Sequence, residues 1–207
     1  MATYIIISMI AYLLGSISFS VLITKKLAGF DVREKGSGNA GSTNVLRTAG
    51  KKAAILTLIC DILKGVFAVA IAVVAGIIVD GVDKALLVQL AAIFAVVGHT
   101  FPVFFKFKGG KGVATALGVL IIVNYQIGLI CLLFALVLMV ATRIVSLGSI
   151  MAAVLYPILT LFMHDNYIVE GNYFVFSLIL AAIVIFNHRT NLKRLLEGKE
   201  NKLSFKK

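Results

Sequence analysis

Residues 113–142 read VATALGVLIIVNYQIGLICLLFALVLMVAT, a stretch without one charged side chain. As a single α-helix it would be about 45 Å long, against a hydrocarbon core of about 30 Å. Asn124-Tyr125-Gln126 interrupt it, and we read them as the tip of a tight hairpin between two short crossings. The choice decides the topology, because it sets the side of the membrane on which every later charge falls.

Working outward, apolar runs occupy residues 4–24, 53–79, 85–105, 113–123, 127–141, 150–163 and 173–187. With seven crossings, one side receives Lys25, Lys26, Arg33, Lys35, Arg47, Lys51, Lys52, Lys106, Lys108, Lys111 and Arg143. The basic tail joins them with Arg189, Lys193, Arg194, Lys199, Lys202, Lys206 and Lys207, while the other side keeps Lys84 beside Asp80, Asp83, Asp165 and Glu170. A single crossing over 113–142 would put Arg143 and that tail outside, against the positive-inside rule. The expectation is an all-α polytopic membrane protein of seven transmembrane helices, N-terminus outside and C-terminus cytoplasmic. The first run lacks a positive n-region and is followed by Lys25-Lys26, the flank of a retained helix and not of a signal peptide.

Composition agrees. Of 207 residues, 60% are apolar and 14% charged, where a soluble domain is about a quarter charged. A single membrane-embedded domain over residues 1–207 is expected. The net charge of +11 sits in short gaps between apolar runs, so membrane sidedness explains it and nucleic acid is not a partner. Cys60 and Cys131 lie inside apolar runs and suggest neither a disulfide nor a metal site.

The expected cytoplasmic loops hold the chemistry. The loop at about 25–52 contains Gly36-Ser37-Gly38-Asn39-Ala40-Gly41-Ser42-Thr43-Asn44-Val45-Leu46-Arg47. Gly36, Gly38 and Gly41 fit G-x-G-x-x-G, but that fingerprint needs a preceding β-strand, and here a transmembrane helix precedes it. What survives is the physics of a nest: glycines let backbone N–H groups converge on an anion. Ser37, Asn39, Thr43 and Asn44 add neutral hydrogen-bonding groups, and Arg47 a bidentate phosphate clamp. A second segment, Gly98-His99-Thr100 through Lys106-Phe107-Lys108-Gly109-Gly110-Lys111-Gly112, places glycines and Lys111 at a helix start, where free N–H groups favour an anion. It is not a Walker A loop, because Gly112 stands where Ser or Thr would be needed. His99 is either a ligand of the phosphate or a structural histidine. For Lys106 and Lys108 the bland alternative is snorkelling at the interface.

Two shorter signals follow. Arg143-Ile144-Val145-Ser146-Leu147-Gly148-Ser149 opens a helix, where Ser146 and Ser149 alone would read as N-caps. His188-Arg189-Thr190-Asn191 closes the last run, and helical spacing puts His188 and Asn191 on one face. Inside the membrane, Asp61 and Lys64 are spaced i,i+3, as for a mutual ion pair that orients the loops.

Together these segments resemble the bacterial membrane glycerol-3-phosphate acyltransferases that use acyl-phosphate donors. The resemblance rests on GSGN-x-G-x-TN-x-x-R, GH-x-x-PVFF-x-FKGGKGVATALG, R-x-VSL-x-S and HR-x-N, and it covers nearly the whole chain. It implies attack of the 1-hydroxyl of glycerol 3-phosphate on a long-chain acyl phosphate, giving lysophosphatidic acid and phosphate at a cytoplasm-facing site of the inner membrane. It also implies that Ser37, Arg47, Lys111, Ser149, His188 and Asn191 line the polar pocket, and that the glycine loops cradle phosphate. No metal, cofactor or obligate protein partner is called for; the expected partners are glycerol 3-phosphate, acyl phosphate and membrane lipid. The residues agree with that chemistry, since none of His99, His164 or His188 has an acid five positions on, as H-x-x-x-x-D acyltransferases require. An acyl phosphate has a good leaving group, so orientation and charge neutralisation can supply most of the rate, with a substrate phosphate oxygen or His188 taking the proton. The competing class is a transporter or flippase for a phosphorylated metabolite, but those bind near the midplane and show repeat symmetry.

Overall fold

The structure, a computed structural model, describes residues 1–163 and 167–203. Among them the chain is all-helical: α1 (Ala2–Gly15), α2 (Phe19–Ala28), α3 (Ser42–Ile78), α4 (Lys84–Thr100), α5 (Val113–Val123), α6 (Tyr125–Thr142), α7 (Val145–Phe162), α8 (Phe174–Asn187) and α9 (Arg189–Leu196). Asp165, Lys206 and Lys207, three of the charges used above, lie outside the described residues.

This is an integral membrane fold. Among the described residues five segments are long and apolar enough to cross a bilayer: Ala2–Ala28, Ser42–Ile78, Lys84–Phe105, Tyr125–Thr142 and Val145–Phe162. The pair α8 and α9, bent by 64°, makes a sixth if taken as one span, and α5 falls short at 11 residues. The break within residues 113–142 is there, but it rests on Asn124 alone, with Tyr125 and Gln126 already inside α6. Asn124 is buried and caps α6 by accepting from the Ile127 N–H at 3.1 Å.

The first inter-helix loop is shorter than expected. Helix α2 runs on to Ala28 and stops at Gly29, whose φ of 75° is the left-handed C-cap conformation. Residues Ser42–Ala49 are already helical, and Gly50 (φ 85°) kinks α3 where a loop residue was expected. The connecting loop is therefore 29–41. Ser42, Thr43, Asn44 and Thr48 are weak helix formers that interrupt the apolar pattern, so the sequence does not announce this part of α3.

Helix α4 is the centre, with Ala91, Ala92, Ala95 and Val96 fully buried against α1, α3, α5 and α8. Among the described residues several crossings are tight enough to require glycine. A Cβ on Gly15 would collide with the Ala95 carbonyl and one on Gly98 with the Tyr12 carbonyl, so α1 and α4 meet backbone to backbone. Gly65 against Thr115 and Gly118 against Ile62 do the same for α3 and α5. Such small-residue seams replace the hydrophobic driving force that lipid removes. Large apolar side chains such as Phe67, Ile77, Val137, Val140 and Phe162 point outward.

The break between α1 and α2 exposes backbone inside the bundle, and the buried ion pair serves it. Lys64 Nζ lies 2.9 Å from Asp61 and donates to the Ile17 carbonyl at 2.8 Å. Unsatisfied carbonyls are costly in a membrane, which gives this lysine a structural reason to be there. Asp61 also lies 3.5 Å from His99 Nδ1, tying the pair to the end of α4.

Candidate active site

The basic segments converge on one end of the bundle. Arg33 Nη1 donates to the Phe105 carbonyl at 2.8 Å, linking the first loop to the second. Arg47 Nη2 donates to the Asn201 carbonyl and the Leu203 N–H donates to the Arg143 carbonyl, at 3.4 and 2.7 Å. The other end holds Tyr4, whose hydroxyl accepts from the Asp83 N–H, and Val123, whose carbonyl accepts from the Ile168 N–H.

Within the first loop, Asn44 is the knot. Its Oδ1 accepts from the Ser37 N–H at 2.9 Å, and its amide donates to the carbonyls of Val32, Lys35 and Asn39. Asn44 is thus committed to holding the loop and is not a direct phosphate ligand in this geometry. Gly36 and Gly38 take positive φ (61° and 72°), and a Cβ on Gly36 would strike Asn44 Oδ1. Ser37 is left exposed at the tip, while Asn39, Gly41 and Thr43 are half-buried behind it. Thr43 and Arg47 are spaced i,i+4 in the first segment of α3, which puts them on one face.

The second loop corrects one expectation. The N–H groups of Gly109 and Gly110 are not free for an anion: they donate to the carbonyls of Thr100 and His99, both at 3.1 Å. These glycines exist for close packing, since a Cβ on Gly109 would overlap the His99 carbonyl and one on Gly110 would overlap His99 Nε2. His99 therefore supports the loop from beneath, between Asp61 and Gly110. The anion-attracting groups left are the first-turn N–H groups of α5, which follow Gly112 (φ 86°) and lack intrahelical acceptors. Lys108 is exposed.

Lys111 meets the last constellation. Its Nζ donates to Asn191 Oδ1, and Asn191 Nδ2 donates to Glu200 Oε1 at 2.9 Å. Arg194 Nε donates to the other Glu200 oxygen at 2.9 Å. Asn187 Nδ2 donates to Thr100 Oγ1 at 3.1 Å, joining α8 to the end of α4. Burial lowers the Lys111 pKa to about 8; Glu200 opposes this, and Arg194 and Arg47 add to it. Burial works against the Glu200 charge, but hydrogen bonds from Arg194 and Asn191 outweigh it and hold that carboxyl below the usual range. His188 sits at the corner beyond α8 with Nδ1 2.8 Å from the Val184 carbonyl; burial and then the Lys111 charge lower its pKa to about 4.

The serines of α7 are not its caps. Ile144 holds the N-cap position, Ser149 Oγ donates to the Val145 carbonyl at 3.1 Å, and Ser146 Oγ is buried without a partner among the described residues. Three groups of this end escaped sequence reasoning: Asp31–Arg33, Asn187 and Arg194–Glu200. Only Arg194 left a signal, being i,i+3 from Asn191 on an amphipathic helix. Among the described residues no three His, Cys, Asp or Glu side chains come together as a metal-ligand set.

This geometry belongs to a known group of proteins. The family model described as glycerol-3-phosphate acyltransferase matches residues 5–198. The glycerol-3-phosphate acyltransferase of Clostridioides difficile (strain 630) is 47% identical over 205 residues, 99% of this chain and 98% of that protein. That of Thermoanaerobacter sp. (strain X514) is 45% identical over 203 residues, 98% and 96% of the two chains. Among solved structures, PlsY (YgiH), an integral membrane glycerol 3-phosphate acyltransferase, superposes in its glycerol 3-phosphate form with a TM-score of 0.85, at 40% identity, over 97% of this chain and 96% of that one. Its lysophosphatidic acid form gives a TM-score of 0.83, at 38% identity, over 97% and 95%. With a full-length sequence match and the same fold, the chain belongs to the glycerol-3-phosphate acyltransferase family.

Proposed function

We propose that this protein transfers a long-chain acyl group from an acyl phosphate to the 1-hydroxyl of glycerol 3-phosphate, releasing lysophosphatidic acid and inorganic phosphate. The observation that carries this reading is the meeting of Lys111 with Asn191, Glu200, Arg194 and Arg47 at one basic end of a lipid-embedded bundle. Two phosphate-bearing substrates need cations there, and an acyl chain needs lateral access from lipid. Lys111 and Arg47 bind the glycerol 3-phosphate dianion, with Asn191 orienting the Lys111 ammonium. Ser37 lies at the exposed tip of the first loop and positions the acceptor. Ser146 Oγ and Ser149 line the pocket from α7, the α5 N-terminus and Lys108 attract the donor phosphate, and His99 and Asn44 hold the two loops in register.

In the reaction, the glycerol 1-oxygen bonds to the acyl carbon as the acyl–phosphate oxygen bond breaks. The hydroxyl proton passes to a phosphate oxygen and the electron pair leaves with inorganic phosphate. Charge neutralisation at the departing phosphate is the main protein contribution. His188 orients the acceptor; with a pKa pulled to about 4 it is a weak base near neutral pH.

The same reading puts this end in the cytoplasm and the N-terminus outside, in the inner membrane. It takes α5 and α6 as a hairpin, so that the chain crosses seven times. The links of Val123 to Ile168 at one end and of Arg143 to Leu203 at the other support that path. Donor identity is the discriminating test. Purified protein supplied with glycerol 3-phosphate turns over acyl phosphate in the presence of chelator and without coenzyme A. Activity with acyl-CoA alone, or its loss on chelation, rejects the proposed donor chemistry.

A further inference from the structure

Two consecutive residues of the second loop, Lys106 and Phe107, both take φ of 57°, the left-handed region that non-glycine residues avoid. Glycine would adopt this conformation freely, and the loop uses glycine nearby at 109, 110 and 112, yet not here. Local backbone bonds hold part of it, the Phe107 N–H to the Pro102 carbonyl at 3.0 Å and the Lys108 N–H to the Phe105 carbonyl at 3.3 Å, and a donor from outside can brace the rest.

Arg33 is placed to do so. Its Nη1 donates to the carbonyl just before the pair, Phe105, at 2.8 Å, and reaches the carbonyl of Lys108, just after it, at 3.5 Å. The rest of the guanidinium is taken by Asp31: Nε donates to Oδ1 at 3.0 Å and Nη2 to Oδ2 at 2.7 Å. Asp31 is 8% exposed and Arg33 21%, and the Phe105 ring lies 5.8 Å from the guanidinium carbon. A planar fork locked on a carboxylate is a pre-organised staple in a way a lysine cannot be. The neighbouring Val32 carbonyl accepts from Asn44, which also holds the Ser37 N–H. A continuous set of hydrogen bonds thus runs from the Ser37 turn through residues 31–33 to the segment that delivers Lys108 and Lys111.

We infer that Arg33, locked by Asp31, is a positioning residue for glycerol 3-phosphate binding: it staples the left-handed Lys106-Phe107 pair and so fixes the spacing between the Ser37 loop and the Lys111 loop. The inference rests on the functional reading above, in that the two loops share one ligand. Arg33 touches backbone carbonyls and Asp31, and its effect on substrate runs through the loop.

The test measures glycerol 3-phosphate affinity of the full-length protein in detergent by direct binding, alongside acyl-phosphate turnover. Arg33→Ala weakens binding by about tenfold, the scale of one or two left-handed residues losing their support, while kcat stays within about twofold. Phe107→Gly alone leaves binding within about twofold. Phe107→Gly added to Arg33→Ala recovers at least about threefold of the lost affinity, because glycine accepts the left-handed conformation unaided. Asp31→Asn weakens binding in the same direction as Arg33→Ala. Unchanged affinity in Arg33→Ala, or a loss of active molecules that Phe107→Gly does not restore, overturns the inference. If wild-type protein binds glycerol 3-phosphate with the predicted Arg33 dependence but ignores acyl phosphate, the staple stands and the donor reading falls. If wild-type protein does not bind glycerol 3-phosphate, both fall.

Discussion

Lys111 is pulled two ways: burial disfavours its charge, and the phosphate it is proposed to bind requires that charge. Its pKa of about 8 puts the conflict within reach of a pH profile. The ammonium is present below that value and is lost as pH rises through it, so kcat/KM for glycerol 3-phosphate falls on an alkaline limb near pH 8, by about tenfold per unit. Among the described residues, Arg47, Arg194, His188 and Glu200 face Lys111, and of these Glu200 favours the charged form. A profile flat from pH 7 to 10 contradicts this assignment. His188 gives the matching acidic test. An orienting role predicts that His188→Gln keeps measurable activity and an acidic limb near pH 6, set by the second ionisation of the substrate phosphate. Disappearance of that limb with nearly all the rate would make His188 the base. At this scale Lys111, Arg47 and Ser37 stood out as site candidates because charge and hydrogen-bonding groups in glycine-rich segments have a recognisable purpose, whereas Asn191 became a candidate through the family resemblance. Glu200 and Arg33 were not, because an acid or a base in a charged segment looks like any solvated one until a partner far along the chain is known.

At the scale of elements, the glycine seams decide how α4 and α5 sit, and so where His99 and Lys111 sit. Gly118→Val drives a branched side chain into the Ile62 carbonyl on α3, where only backbone can move. It should destabilise by about 1–3 kcal/mol, read as a lower thermal midpoint in detergent. A substitution at lipid-facing Val137 should leave the midpoint unchanged. The hairpin makes a labelling prediction. Asn124 is buried, so the informative probe is a cysteine at Tyr125, 59% exposed, which reacts with an impermeant thiol reagent from outside, whereas one at Lys108 or Lys193 does not. Labelling of Tyr125→Cys only after the cytoplasmic face is opened would reject the proposed path. The apolar runs fell on helices over most of their lengths. The helical start at Ser42 was hidden by polar residues that interrupt the apolar pattern, and the kink at Gly50 is not announced by a single glycine.

For the whole molecule, sequence and structure agree on one asymmetry: the basic, glycine-rich segments occupy one end of the bundle, and the N-terminus, Asp83 and the α5–α6 turn the other. That pattern was legible because the bilayer forbids charge along most of the chain, leaving function only the ends. Distances were not legible, since periodicity cannot show that residues 33 and 105, or 47 and 201, touch. This end of the bundle is proposed to perform acyl transfer by neutralising phosphate charge, without a metal. The most direct test follows inorganic phosphate and lysophosphatidic acid together, from purified protein given acyl phosphate and glycerol 3-phosphate. Equimolar release that requires both substrates is expected, falling at least about a hundredfold in Lys111→Ala, roughly 2.7 kcal/mol of transition-state stabilisation. Phosphate release without glycerol 3-phosphate, or undiminished turnover in Lys111→Ala, would contradict it.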